Sequence, residues 1–380
     1  MHPFPKNPID AVTHPDPYPY YASLRAAGAV GWFDDCKAWA LVTASAVSAA
    51  FQLPLAKVRP PHEPVPAFLL GTRAGAVFGA LARMNDGVAH EGQRARVMQL
   101  MGKLGAETVA RRAAQALSRI GGEWHERRDG AALDELIRRL PVAAIVAALG
   151  FAEEAHEALG RATAGWVAGL SPLATSAQRQ AAIDSMEELL SLLAARGVHG
   201  IEEAAAHVAV LSQPHEATAG LMGAGLLRLA QEPHLHAAAI AGTLDWHRFG
   251  EEVLRHDPPV QNTRRTLAAD AVIEGVQLRA GDTLLLVLAS AARNPALHAS
   301  PDEFMLDRPA KPNFALGLGP HACPGGATAM AIASCQWRDA VQHTPLPALQ
   351  ALTQSVSWRA SVNARMPVFA SPPPPSQPHR

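Results

Sequence analysis

The 380-residue chain is poor in cysteine, with only Cys36, Cys323 and Cys335. An odd number without framework spacing excludes a disulfide-built secreted scaffold and fits a reducing compartment. Charge imbalance is missing as well: 33 basic and 34 acidic residues leave a net charge of -1. Nothing therefore marks a nucleic-acid or anionic-membrane partner, and a small molecule or another protein is expected instead. Long hydrophobic runs are also absent. The longest, "TLLLVLASAA" at 283–292, is too short to cross a bilayer, and the opening "MHPFPKNPID" lacks the apolar centre of a signal peptide. These absences predict a soluble cytoplasmic protein.

The length allows two average domains or one large one, and no repeat or linker divides it. A single domain over 1–370 is expected. "DPYPYYASLRAAGAVGWFDDCKAWALVT" reads as proline-set turns and a short helix, then paired strands around Trp32, Trp39 and Val42. From about 88 to 245 the Ala- and Leu-rich chain has helical spacing and few strand signals. After "EEVLRHDPP" come short β-like pieces, "DAVIEGVQLRAGDTLLLVL", then a glycine-rich loop and a helix from about 326 to 342. The fold class is mainly α with a minor β region. The tail "SPPPPSQPHR" at 371–380 is polyproline-like and cannot pack a core, so it is expected to be disordered.

One stretch, "LGLGPHACPGG" at 316–326, concentrates backbone freedom around a sulfur. Gly317, Gly319, Gly325 and Gly326 permit positive φ and close backbone approach, while Pro320 and Pro324 stiffen the turn. Cys323 precedes the helical run "GATAMAIASCQWRDAV", whose positive dipole end favours thiolate over thiol. Such a sulfur can ligate a metal, attack as a nucleophile with His321 as base, or simply fill a turn. A phosphate loop would need a preceding strand and a Lys-Ser/Thr ending that are not here. Upstream, "EEVLRHDPPVQNTRR" sets Glu252 and Arg255 three apart on a helix that Pro258 and Pro259 end. The turn-rich "AARNPALHASPDEFMLDRP" lies between the two motifs.

In order and spacing these three pieces resemble the cytochrome P450 family of heme-thiolate enzymes, soluble bacterial type; cysteinate-ligated heme is the general example of that chemistry. The resemblance runs from about 12 to 370. It implies the P450 fold, with heme b buried between a long central helix and the cysteine-loop helix. By it Cys323 is the iron ligand, and His321, with His90, Arg94 and Arg265, binds the heme propionates. Gly317, Gly319 and Gly325 fall on the loop pattern, whereas Leu316 stands where an aromatic residue usually shields the sulfur. Glu252 and Arg255 match a structural ion pair, with Arg308 as the expected third member. Buried propionates need paired charge, so several cationic groups make physical sense.

The distal stretch departs from the family. In "LSQPHEATAGLMGAGLL", Glu216 matches the expected acid but Ala217 stands where an alcohol belongs. Thr218 comes one residue later, turned by roughly 100° around a helix. Gln213 and Pro214 replace a small pair, and Pro214, lacking an N–H, predicts a kink. The resemblance implies a monooxygenase that inserts oxygen from dioxygen into a small, mostly apolar substrate, with electrons from a separate ferredoxin- or flavodoxin-type partner; Glu216, Gln213, water or a substrate hydroxyl would replace the missing alcohol. The alternatives are a peroxide-using or atypical oxidase (coupling or rearrangement) and a non-catalytic heme sensor. A monomer is expected. Phe68, Trp166, Gln261 and Asn262 are candidate pocket residues.

Overall fold

The computed structural model describes residues 3–370, so the tail at 371–380 lies outside the described residues. The first helix, Tyr18–Ala27, carries a proline in its first turn, where the missing N–H has no helical partner to lose. Then come β1 (Val30–Phe33) and β2 (Ala38–Leu41), paired antiparallel with Trp32 opposite Trp39. The two indoles meet edge-on at 5.4 Å between centroids, a cross-strand contact that pins the register. Helix Ala44–Gln52, capped by Thr43, precedes the short β3 (Ala56–Lys57).

β4 (Thr263–Leu267), the hairpin β5 (Ala271–Ile273) and β6 (Val276–Leu278), and β7 (Thr283–Leu286) arise where the second β-like region was expected. Their sheet runs β1-β2-β7-β4-β3, so strands distant in sequence share one sheet. β7 lies parallel to β2 and antiparallel to β4. Alternation along β7 decides the packing. Leu284 and Leu286 join one apolar cluster with Leu41 and Leu267, while Leu285 and Val287 join another with Tyr21 and Ala40. A sheet buried on both faces reads as a continuous apolar run. β8 (Ser357–Trp358) and β9 (Pro367–Val368) form a separate pair.

Between the β regions stands the helical body: Gly87–Lys103, Ala106–Ile120, Gly130–Ala148, His156–Leu170, Ser176–Ala194 and the central helix Ile201–Gln231. Side-chain caps start several of them. Asp129 accepts from Ala132 N, and Thr175 and Gln178 form a reciprocal capping box. The central helix is apolar on nearly every side, as a helix enclosed by others must be, and it continues unbroken through Pro214. Behind it run helix Trp246–His256, ended before Pro258 as expected, and the cysteine helix Gly326–His343. The cysteine helix and the central helix touch at Gly225, where an added Cβ would lie 2.3 Å from the Trp337 ring.

The two ends of the described chain are tied together. Arg365 donates to the carbonyls of Val12, His14 and Pro15 at 3.0, 2.7 and 3.0 Å and to Asp257 at 3.0 Å. Tyr18 donates to the same Asp257 carboxylate. Among the described residues no helix is long and apolar enough to cross a membrane.

Candidate functional site

The cysteine loop is held by its own backbone. Gly317 and Gly319 adopt φ of 67° and 68°, values that a side chain would strain. Cys323 N–H donates to Leu316 O at 2.7 Å, closing the loop across seven residues. Gly325 N–H donates to Cys323 Sγ at 3.3 Å. Gly325 has φ of -96° and Gly326 begins the helix, so these two supply close approach rather than the positive φ expected. A Cβ on Gly326 would come 3.2 Å from Leu316 Cδ1. Leu316 therefore packs against the start of the cysteine helix. Phe51 supports the loop from beneath, 4.0 Å from where a Gly317 Cβ would sit, and the Arg265 guanidinium lies over its ring at 5.4 Å.

Cys323 is exposed, yet protein surrounds it closely enough that burial pushes its thiol up, against the opposing pull of the Gly325 N–H and the Arg94 charge. Burial thus opposes the preference for thiolate that the helix end favours. A side chain both exposed and enclosed lines an internal cleft. His321 does not serve Cys323 as a base. Its Nε2 is 3.4 Å from Asp86 Oδ1, and its ring lies 4.1 Å from that of His90. Burial lowers both imidazoles, and the neighbouring Arg94 lowers His90 while His90 and Arg265 lower His321. Asp86, whose other oxygen accepts from Val58 N–H at 3.1 Å, is the acid facing this group; the sequence reading missed it.

His90, Arg94, Arg265 and His321 thus converge beside Cys323 with one carboxylate among them. Arg265 is buried, while the adjacent Arg264 is exposed. The buried Gln93 Oε1 on the same helix as His90 and Arg94 has no partner. A thiol with an excess of cationic and donating groups fits a ligand that carries a thiophilic metal and carboxylates, as heme does.

Across the cleft, the central helix turns Gln213 outward among buried neighbours and leaves Glu216 and Ala217 half-buried. Thr218 is 1% exposed and its hydroxyl is unpartnered, so the one-residue offset does turn it into the packed interior. Burial pushes the Glu216 carboxyl up, while the charges of Arg359 and Arg83 pull it back. Arg83 resembles Cys323 in being exposed but ringed by protein. Neither arginine was singled out from sequence, because nothing local tells an inward guanidinium from a solvated one. His215 is buried, lowered to about 4 by desolvation and by Arg359 and Arg138.

Of the other pocket candidates, Phe68 is half-buried with Arg179 over its ring at 5.5 Å. Trp166 is fully buried in the helical core. Gln261 bonds Tyr21 and the Pro258 carbonyl, and Asn262 bonds Val362 O. These last three serve the interior rather than a ligand.

Behind the loop, Glu252 receives a fork from Arg255 at 2.7 and 2.6 Å and a third bond from Arg308 at 3.0 Å. Arg255 and Arg308 also donate to the carbonyls of Ala299, Ser300, Pro301 and Glu303. The triad expected from sequence is assembled, and it clamps the irregular segment before the cysteine loop.

Residues 249–335, which carry both the triad's ion pair and the cysteine loop, match the family model described as Cytochrome P450. That segment is similar to the cytochrome P450 family. Cytochrome P450 144 of Mycobacterium tuberculosis is 32% identical over 155 residues, 40% of this chain and 36% of that one. A 20-oxo-5-O-mycaminosyltylactone 23-monooxygenase of Streptomyces fradiae is 34% identical over 124 residues, 31% of this chain and 28% of that one. The matches thus span about a third of those relatives' length. Structural likeness extends further. The crystal structure of CalO2 superimposes with a TM-score of 0.77 at 20% identity, covering 95% of this chain and 96% of CalO2. P450BioI, in complex with an acyl carrier protein, gives 0.75 at 21%, covering 93% and 97%. At such identities the superpositions establish the P450 fold.

Proposed function

We propose that this chain is a heme-thiolate monooxygenase acting on a small, mostly apolar substrate, cytoplasmic and organised as one domain over 1–370. The carrying observation is the Cys323 thiol, open to an internal cleft and backed by His90, Arg94, Arg265 and His321. Bound heme b would supply dioxygen activation at its iron. Cys323 would hold that iron through sulfur, and the four cationic or donating side chains would hold the propionates. Electrons would come from a ferredoxin- or flavodoxin-type redox protein. The relative named as a monooxygenase supports the reaction class.

On the distal side Glu216 is the residue that holds a proton: burial raises its carboxyl, and Arg83 and Arg359 keep the shift in check. A carboxyl raised from its ordinary range takes up a proton more readily, which suits it to proton transfer. Ala217 offers no hydroxyl, and Thr218 is turned into the core. Gln213, water or the substrate's own hydroxyl must complete the path. The same alanine favours a second reading, direct use of hydrogen peroxide.

Two measurements test this. Reduced protein under carbon monoxide should show the strongly red-shifted Soret band of a thiolate-ligated heme, lost in Cys323→Ala and kept in Cys335→Ala. Product formed per reductant consumed, and per peroxide supplied, should then be compared for the parent and Ala217→Thr. Efficient reductant coupling in the parent excludes dedicated peroxide use; its absence with a turned-over substrate and a competent redox partner defeats the monooxygenase.

A further inference from the structure

The cysteine helix Gly326–His343 ends far from the cleft, roughly 27 Å from its start at 1.5 Å per residue. There Asp339 and His343, four apart, share one face of the helix, and the short helix Gly122–Arg127 brings His125 against them. His125 Nε2 lies 3.1 and 3.0 Å from the two Asp339 carboxylate oxygens. His343 Nδ1 lies 3.2 Å from Asp339 Oδ1, and the two imidazoles sit 4.6 Å apart. One ligand atom from each of the three residues falls within a 4.8 Å circle. We propose that His125, Asp339 and His343 form a zinc site that clips the far end of the cysteine helix to the helix of His125.

The donor set selects the metal class. Two imidazoles and one carboxylate suit zinc and its neighbours in the first transition row, whereas magnesium and calcium want more oxygen donors. Three protein ligands leave a fourth position for water. Exposure matches that division, with Asp339 largely covered at 12% of its side chain and His125 and His343 open at 32% and 44%. A hydrated cation can therefore reach the site.

The surroundings already orient the ligands. His343 Nδ1 lies 2.9 Å from the Asp339 backbone carbonyl, a contact that holds the ring against the carboxylate. His125 stands over Gly121, where a Cβ would come 3.4 Å from His125 Cε1, so the glycine leaves the ring room to turn. Arg338, the neighbouring cation on the helix, is engaged over the Trp246 ring at 5.6 Å. In the metal-free protein the proton on His125 Nε2 bridges to Asp339. The metal takes that proton's place, and the imidazole binds in its Nδ1–H form. Neither redox change nor bond cleavage is involved.

The test is calorimetric titration of the heme-loaded protein, free of any histidine tag and stripped by chelator, with zinc chloride alone. One equivalent should bind at micromolar dissociation constant and raise the melting temperature by several degrees. His125→Ala and His343→Ala should each weaken binding at least tenfold while leaving the carbon monoxide spectrum intact. Magnesium and calcium should give no saturable heat. Absence of one-to-one zinc binding, or binding undiminished in the double variant, overturns the proposal. Should either alanine variant unfold, His125→Gln and His343→Gln provide the same comparison with similar volume.

Discussion

Trp337 on the cysteine helix donates its indole N–H to the Met222 carbonyl on the central helix at 2.8 Å. Its ring fills the space left by Gly225 one turn further on, so the two helices that enclose the cleft are locked by one side chain. Helix backbones approach this closely only where one of them lacks a Cβ.

Gly225→Ala should therefore push the two helices apart. Overpacking of this kind costs about 1–3 kcal/mol. Trp337→Phe keeps most of the ring and loses the bond to Met222, a net cost of about 1 kcal/mol plus a small void. Denaturant unfolding of the heme-loaded protein measures both. Stability of Gly225→Ala equal to the parent would mean the helices are not locked there.

The Glu252 cluster makes a larger prediction. Glu252 is 5% exposed and takes four hydrogen bonds, two from Arg255 and one each from Arg308 and Met305 N–H. Glu252→Ala leaves two arginines without their counter-charge, and breaking a buried pair this way costs about 3–5 kcal/mol. Heme content per protein at 37 °C should fall sharply. Arg308→Lys, which keeps the charge but loses the fork onto Ala299 and Ser300, should lie between the two.

Acid should destabilise the fold through buried imidazoles. His256 Nδ1 accepts from Arg228 and Arg293 at 3.0 and 2.8 Å, and its Nε2–H donates to Asp302 O at 2.9 Å. Burial, then Arg293 and Arg228, lower it to about 2; burial also lowers His215 and His298 to about 4. Below the ordinary histidine value near 6.5, the unfolded chain binds protons that the folded one refuses. Stability is therefore full above about pH 6.5 and declines as pH falls, until about pH 4 for His215 and His298 and further for His256. His256→Gln, which can still accept and donate, should flatten the slope between pH 6 and 4. An unchanged slope would show that His256 is not among the groups responsible.

At the sulfur, Gly325 supplies the hydrogen bond to Cys323 Sγ, and Pro324 has no N–H to offer. Hydrogen bonds withdraw negative charge from a ligating sulfur and so favour the reduced metal. Pro324→Leu, which adds a donor, should raise the heme reduction potential in a spectroelectrochemical titration. An unchanged or lower potential at full heme content would make the absent N–H irrelevant.

Much of this site could be read from the sequence because its parts are local. Cys323 sits within a loop of eleven residues, Glu252 and Arg255 share one turn, and His90 and Arg94 share another. The fold was legible for a similar reason: alternation around Trp32 and Trp39, and the apolar run that became β7, announce strands without any partner being known. Asp86, Arg83 and Arg359 escaped notice because their importance depends on what the folded chain sets against them. Charge in a sequence carries no sign of which way it will face. At Cys323 the helix end can be read from position, but the opposing desolvation needs the surrounding walls. Gln261 and Asn262 likewise look like ligand contacts until Tyr21 and Val362, far along the chain, claim them.

The sheet order has a consequence for how the protein is made. β2 at 38–41 pairs early with β1 on one edge, but the partner for its other edge, β7 at 283–286, comes far later, as does Arg365, which bonds the segment around Val12 to Pro15. At about 5–20 residues per second, a ribosome needs on the order of ten to fifty seconds between releasing the one strand and the other. During that interval the first hairpin offers an unpaired edge to whatever is near. Synthesis of this chain thus passes through a stage in which its opening segment depends on chaperones or on its own solubility, and truncation anywhere before β7 leaves that stage permanent.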